Sequence, residues 1–165
     1  MNWFAQILAG VFPRATGLEV DEPDPLAFQL PPSPTRFFEA LGHLVGPEAT
    51  LYWEGPAGRT LAAWLDRYTS APRPRVSVGV MPVGDFYLVP LTDEVLEELA
   101  VRDTEPGALR GPVRIHVHEG ERITLQWRPA FGKRPLLLSR RLPADRVREF
   151  VAAANATPIR RTTAT

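Results

Sequence analysis

Apolar residues repeat along the chain with two spacings, and each spacing predicts a different element. Spacings of three and four residues, typical of the buried stripe of a helix, occur within 33–45, 61–68, 92–99 and 143–154. Alternation of apolar and polar residues, or a short β-prone run, predicts strands at 50–53, 76–80, 86–89, 113–117, 123–127 and 136–139. The predicted order of elements is therefore α-β-α-β-β-α-β-β-β-α.

The clearest pattern is a hairpin, in which 113–117 and 123–127 alternate between apolar and polar residues on either side of a Glu119-Gly120 turn. Because only one face of this hairpin is apolar, we expect helices on one face of the sheet only. The predicted fold class is α+β: a two-layer sandwich with a mixed, mostly antiparallel sheet of about five to six strands. Strands 50–53 and 76–80, joined by a helix, can form a right-handed crossover.

An apolar stripe also runs along the first twelve residues and predicts an amphipathic helix. Its members are Trp3, Phe4, Ile7, Leu8, Val11 and Phe12. A membrane-surface helix would carry Lys or Arg on its polar side, and no charge precedes Arg14, so peripheral membrane contact is not favoured. The helix is expected to dock on its own domain, on a second copy or on another protein, and these stripe residues are candidate partner-binding residues.

Six prolines and four acidic residues between positions 13 and 34 predict an extended, acidic connector after this helix. Ser33 and Pro34 suit the cap and first position of the next helix. The predicted organisation is a helix at 1–12, a Pro-rich linker at 13–32, one α+β domain at 33–154 and a polar tail at 155–165.

Composition excludes several classes of protein. The chain has 165 residues, which is about one domain, and no cysteine, which excludes disulfides, thiol catalysis and cysteine-bound metals. No apolar run is long enough to span a membrane. Net charge is zero, but residues 1–106 hold 7 Arg against 15 acids, whereas residues 107–165 hold 12 basic residues against 4 acids. The halves either cancel within one domain or leave a basic face for an anionic partner.

Several residues together resemble a group of small bacterial proteins with no assigned function. They are Leu51-Tyr52-Trp53-Glu54-Gly55, Trp127, Ala130-Phe131, Pro135-Leu136, Ser139 and Phe150. The resemblance spans roughly residues 36–152. It implies a bacterial, cytoplasmic domain, and it brings no catalytic residue with it.

His116 and His118 leave the same face of their predicted strand and are the first candidates for chemistry. A catalytic zinc site needs a third ligand. His43 is expected on the solvent side of its helix, and the neighbouring Arg114 and Arg122 would repel a cation. We therefore predict no metal site and no cofactor.

The same hairpin predicts a polar, basic sheet face. With a simple register it comprises Arg114, His116, His118, Arg122, Thr124, Gln126 and Arg128. Such a face is either exposed to solvent, used for phosphate groups or an acidic protein surface, or covered by the chain's own acidic residues 19–24. Nucleic-acid binding is not favoured, because Trp127 points to the core and no exposed aromatic platform remains.

The segment 54–60 follows a strand and opens a helix, a position that can bind an anion. Its two glycines lack the spacing of a phosphate-binding loop, so a plain turn is expected. Glu54 is a possible general base, but no nucleophile is positioned beside it. We expect a non-catalytic interaction or accessory domain, in an assembly or a toxin–immunity type pairing. The alternative is a small metal-dependent or hydrolytic enzyme using His116, His118 and Glu54.

Overall fold

The computed structural model describes residues 22–70, 86–101, 113–120 and 122–160, which fold into one sheet and four helices. The strands are β1 Leu26–Gln29, β2 Ala49–Glu54, β3 Phe86–Pro90, β4 Val113–Glu119, β5 Arg122–Ala130, β6 Leu136–Leu138 and β7 Thr157–Pro158. The helices are α1 Pro34–Leu44, α2 Gly58–Tyr68, α3 Asp93–Val101 and α4 Ala144–Ala154. The fold class is α+β, as predicted.

Two of the helices begin where the capping residues predict. The Ser33 hydroxyl accepts a hydrogen bond from the backbone N–H of Arg36 (3.3 Å), and Pro34 occupies the first turn, where its missing N–H costs nothing. The Thr92 hydroxyl accepts one from the N–H of Val95 (3.3 Å) at the start of α3.

The seven described strands lie in the order β3-β2-β4-β5-β6-β1-β7, and every pair is antiparallel. The expectation of five to six strands was wrong, because two short strands lie in segments predicted to be irregular. Residues 26–29 pair with β6 inside the predicted linker, and residues 157–158 pair with β1 inside the predicted tail. Pro25 directly precedes the first of these strands and Pro158 lies within the second, so neither resembles an ordinary strand in the sequence.

Four predicted features lie wholly or partly outside the described residues: the helix at 1–12, the linker up to residue 21, the strand at 76–80, and the tail beyond residue 160. Both neighbours of β2 in the described sheet, β3 and β4, run antiparallel to it, so no described strand lies parallel beside β2.

All four helices pack on one face of the sheet. Their buried residues join the inward side chains of the strands in a single core, in which Trp53 and Trp127 are completely buried. Phe38 stacks on Trp53 with ring centroids 6.1 Å apart, and Phe37 contacts Trp127 at 5.4 Å. The prediction that Trp127 faces the core is confirmed, and the core leaves the other face of the sheet without a described helix.

The outermost described strands are β3 and β7. The backbone of Leu88 on β3 is already hydrogen-bonded to the residues that follow α2: Ser70 N–H donates to its carbonyl (2.8 Å), and its N–H donates to the Thr69 hydroxyl (3.1 Å). At the opposite side, β7 is two residues long and ends in Pro158.

Candidate functional site

The face of the sheet turned away from the helices, here called the outer face, carries most of those predicted candidate residues that the structure describes. Pairing of six strands aligns one residue from each into a continuous line, here called the central row. It consists of Leu88, Tyr52, His116, Gln126, Leu137 and Ala27.

The centre of this row is buried, which differs from the exposed polar face predicted from alternation. Leu88 is 1 % exposed, His116 2 % and Tyr52 3 %. Gln126 is also buried. The outer face is therefore a second packed surface rather than a solvated one.

His116 occupies the middle of the central row, with aromatic rings on two sides. The Tyr52 ring stacks on it at 5.4 Å and 17°, and the His118 ring meets it edge-on at 6.5 Å. Neither imidazole nitrogen of His116 has a hydrogen-bond partner in the structure. A buried polar group without partners is costly, so the position calls for an explanation.

The surroundings of His116 favour its neutral form. Burial lowers its pKa to about 3, and repulsion from the protonated form of His118 and from the charged Arg128 and Arg114 acts in the same direction. Burial also lowers the pKa of His118. At neutral pH both rings are uncharged, so the middle of the outer face presents aromatic surface rather than positive charge.

Glu54 is held by two neighbours on the same face. Tyr52 Oη donates to one carboxylate oxygen (3.0 Å) and Arg114 Nη1 to the other (3.3 Å). Burial, together with the Glu54 charge, raises the pKa of Tyr52 above its usual value. Glu54 thus orients Arg114 and Tyr52, and a carboxylate engaged in this way is poorly placed to act as a general base.

The register of the hairpin removes one predicted residue from this face. Val117 pairs with Leu125 but His118 pairs with Ile123, so a bulge at Thr124 shifts the alternation by one residue. The register therefore puts Ile123 beside His118, and Arg122 pairs with Glu119 on the opposite side. Thr124 itself is buried and donates to the Val117 carbonyl (3.3 Å).

Of the hairpin candidates, Arg114, His116, His118 and Arg128 share the outer face, whereas Arg122 does not. His43 lies far from them, on the exposed side of α1, with Nδ1 3.7 Å from a carboxylate oxygen of Glu149. The six stripe residues of the N-terminal segment lie outside the described residues.

Sequence reasoning missed Tyr52 and Leu88. Alternation in 50–53 already separates Tyr52 from Leu51 and Trp53, which was the available signal. Their place beside His116 depends on pairing of β2 with β4, some sixty residues apart, which no local pattern reports.

In the described part of the chain, no group of three or more His, Asp or Glu side chains is arranged to hold a metal ion. No described helix is both long and apolar enough to cross a bilayer. No family model, curated protein or solved structure matches the chain.

Proposed function

We propose that this chain is a non-catalytic protein-interaction or accessory domain, serving in an assembly or in a toxin–immunity type pairing. The central row carries the proposal. It is a line of aromatic, apolar and amide side chains across six strands, on a face where no described helix packs. An apolar and aromatic centre with arginine at its border is the composition that protein interfaces favour.

The charge around the row indicates the chemistry of a partner. Arg114 has a side chain 52 % exposed and is aimed by Glu54, and Arg128 lies close enough to affect His116. The C-terminal half of the chain, which supplies both arginines, carries the excess of positive charge. The partner is therefore another protein with an acidic surface, or the acidic part of a second copy of this chain.

Nucleic acid is not the proposed ligand. Single-stranded nucleic acid binds to free aromatic ring faces set among basic residues, whereas the Tyr52 ring is already stacked on the His116 ring at 5.4 Å. The resemblance to small bacterial proteins supports a bacterial, cytoplasmic setting for the proposed partner.

Affinity capture with matched charge reversals tests the proposal. The full chain is immobilised and incubated with lysate of its source cell, and proteins retained near one per chain are identified. Arg114→Glu with Arg128→Glu is expected to abolish retention. The control Arg148→Glu reverses a charge on the exposed side of α4 and is expected to leave retention intact. Equal loss in both variants, or no stoichiometric partner, contradicts the proposal.

A further inference from the structure

The central row needs a cover that the four described helices do not supply. All four contribute their buried residues to the core on the other face, and Tyr52 and Leu88 belong to no part of that core. Yet both side chains are 3 % exposed or less. Beside them His116, also nearly fully buried, directs two unpartnered nitrogens into the same surface.

The described chain begins close to this surface. The Glu22 carboxylate accepts hydrogen bonds from the Ser139 hydroxyl and from the Arg140 N–H (2.8 Å), and Asp24 pairs with the Arg140 side chain (2.8 Å). Ser139 N–H in turn donates to the Thr124 carbonyl on β5 (2.9 Å). The polypeptide preceding residue 22 therefore starts two strands away from His116.

The length of that preceding segment matches the row. Residues 13–21 extend up to about 28 Å at 3.1 Å per residue, whereas six strands at about 4.8 Å spacing span about 24 Å. A helix over residues 1–12 is about 18 Å long, enough to lie across about four strands. The segment can thus reach any part of the row without strain.

The chemistry matches as well. Residues 1–12 contain no charged side chain and carry six large apolar residues on one stripe. The central row is uncharged too, because burial keeps His116 neutral. Residues 102–112, by contrast, contain four charged side chains and a single leucine, and the apolar residues of 76–80 have the alternation of a strand rather than a helical stripe.

We propose that residues 1–12 dock as a helix on the outer face of their own sheet, over the row of Tyr52, His116 and Leu88. The docked segment makes the fold a three-layer one, with helices on both faces. This proposal goes beyond the interaction function and does not depend on it, because docking within one chain needs no partner. A partner that uses the same row must first displace the segment.

A paramagnetic tag on the segment tests the docking. The chain has no cysteine, so Asn2→Cys accepts one nitroxide label in the otherwise intact protein. In NMR spectra of this protein, the amide signals of Tyr52, His116 and Leu88 are expected to be lost relative to the spectrum recorded with the label reduced. The amide signals of the helix layer are expected to remain. As a control, a label at Glu39→Cys, on the exposed side of α1, is expected to attenuate α1 and α4 and spare the central row.

Four outcomes overturn the proposal. Attenuation of the helix layer by the Asn2→Cys label places the segment elsewhere, and attenuation of no described residue leaves it undocked. Labelled and unlabelled copies can also be mixed. If the signals of the row are then attenuated only in the unlabelled copies, the cover comes from a second copy. Ile7→Glu with Leu8→Glu is expected to abolish attenuation by the Asn2→Cys label while the Glu39→Cys pattern persists, which shows that the sheet remains folded. Attenuation that survives this double substitution contradicts docking through the stripe.

Discussion

At the scale of single residues, His116 combines deep burial, aromatic contacts and two unpartnered nitrogens. The groups facing it are Tyr52 on β2, His118 and Arg114 on β4, and Gln126 and Arg128 on β5. None of these is an acid that would compensate a positive charge on the imidazole. Protonation of His116 is therefore strongly coupled to unfolding.

This coupling predicts an acid-dependent stability. His116 has a pKa of about 3 when folded and 6.5 as a free side chain, so the unfolded chain binds more protons between these values and stability falls as the pH drops through that window. Between pH 7 and pH 5 the loss attributable to His116 is about 2 kcal/mol. Urea unfolding at both pH values measures it.

The contribution of His116 is isolated by substitution. His116→Phe keeps the stacking on Tyr52 and is expected to remove this part of the pH dependence, whereas the exposed His43→Gln is expected to retain it. An unchanged dependence in His116→Phe would show that His116 does not titrate in this way.

Metal analysis of the purified protein tests the enzyme alternative at the same residue. We expect zinc, nickel and iron well below one per chain, because Arg114 and Arg128 surround the histidine pair and Glu54 is engaged by two hydrogen bonds. Metal at one per chain that is lost in His116→Ala would establish a metal site instead.

At the scale of elements, the hairpin of β4 and β5 separates two kinds of position. Trp127 and Leu125 are completely buried in the core, so truncation to Ala is expected to lower the free energy of unfolding by about 2–5 kcal/mol. Truncation of the exposed Arg122 to Ala is expected to change the free energy of unfolding by less than about 0.5 kcal/mol. Denaturant melts of the three variants check the register, and similar losses in all three would contradict it.

The hydrogen bonds of Glu22 with Ser139 and Arg140, at the start of the described chain, give a second prediction at this scale. Burial opposes ionisation of Glu22, but hydrogen bonds from Ser139 and the Arg140 backbone outweigh it and lower the pKa of its carboxyl. Ser139→Ala removes one of these bonds and is expected to cost about 1.5–3 kcal/mol. Truncation of the exposed Lys133 serves as control, and an equal effect of both variants in urea melts would show that the contact is not formed in solution.

At the scale of the whole molecule, the position of β1 determines how many N-terminal residues can be deleted without loss of the fold. Deletion of residues 1–30 removes a strand that pairs with β6 and β7 and buries Phe28, so it is expected to abolish cooperative unfolding. Deletion of residues 1–21 keeps β1 and is expected to preserve a cooperative transition, and the docking proposed above predicts that it also increases dye binding at the central row. Thermal melts and binding of an apolar dye compare the two, and equal melts in both deletions would contradict a structural role for β1.

Local signals were enough for the main elements and not for the outer face. Capping at Ser33 and Thr92 and the apolar stripes predicted all four described helices, because these signals act within one turn. The position of His116 between Tyr52 and Gln126 depends instead on the pairing of strands that lie far apart in the sequence. The bulge at Thr124 moves Arg122 to the other side of the sheet. The sequence around it alternates regularly, so no local pattern predicts the bulge.

The ends of the sheet determine how the molecule can associate. An unprotected outer strand offers its amides to a neighbouring molecule and invites sheet-to-sheet polymerisation. Here Leu88 on β3 is already bonded to Thr69 and Ser70, and β7 stops after two residues at Pro158. Growth of a continuous intermolecular sheet is disfavoured at both sides, so the protein is expected to resist fibril formation even at high concentration.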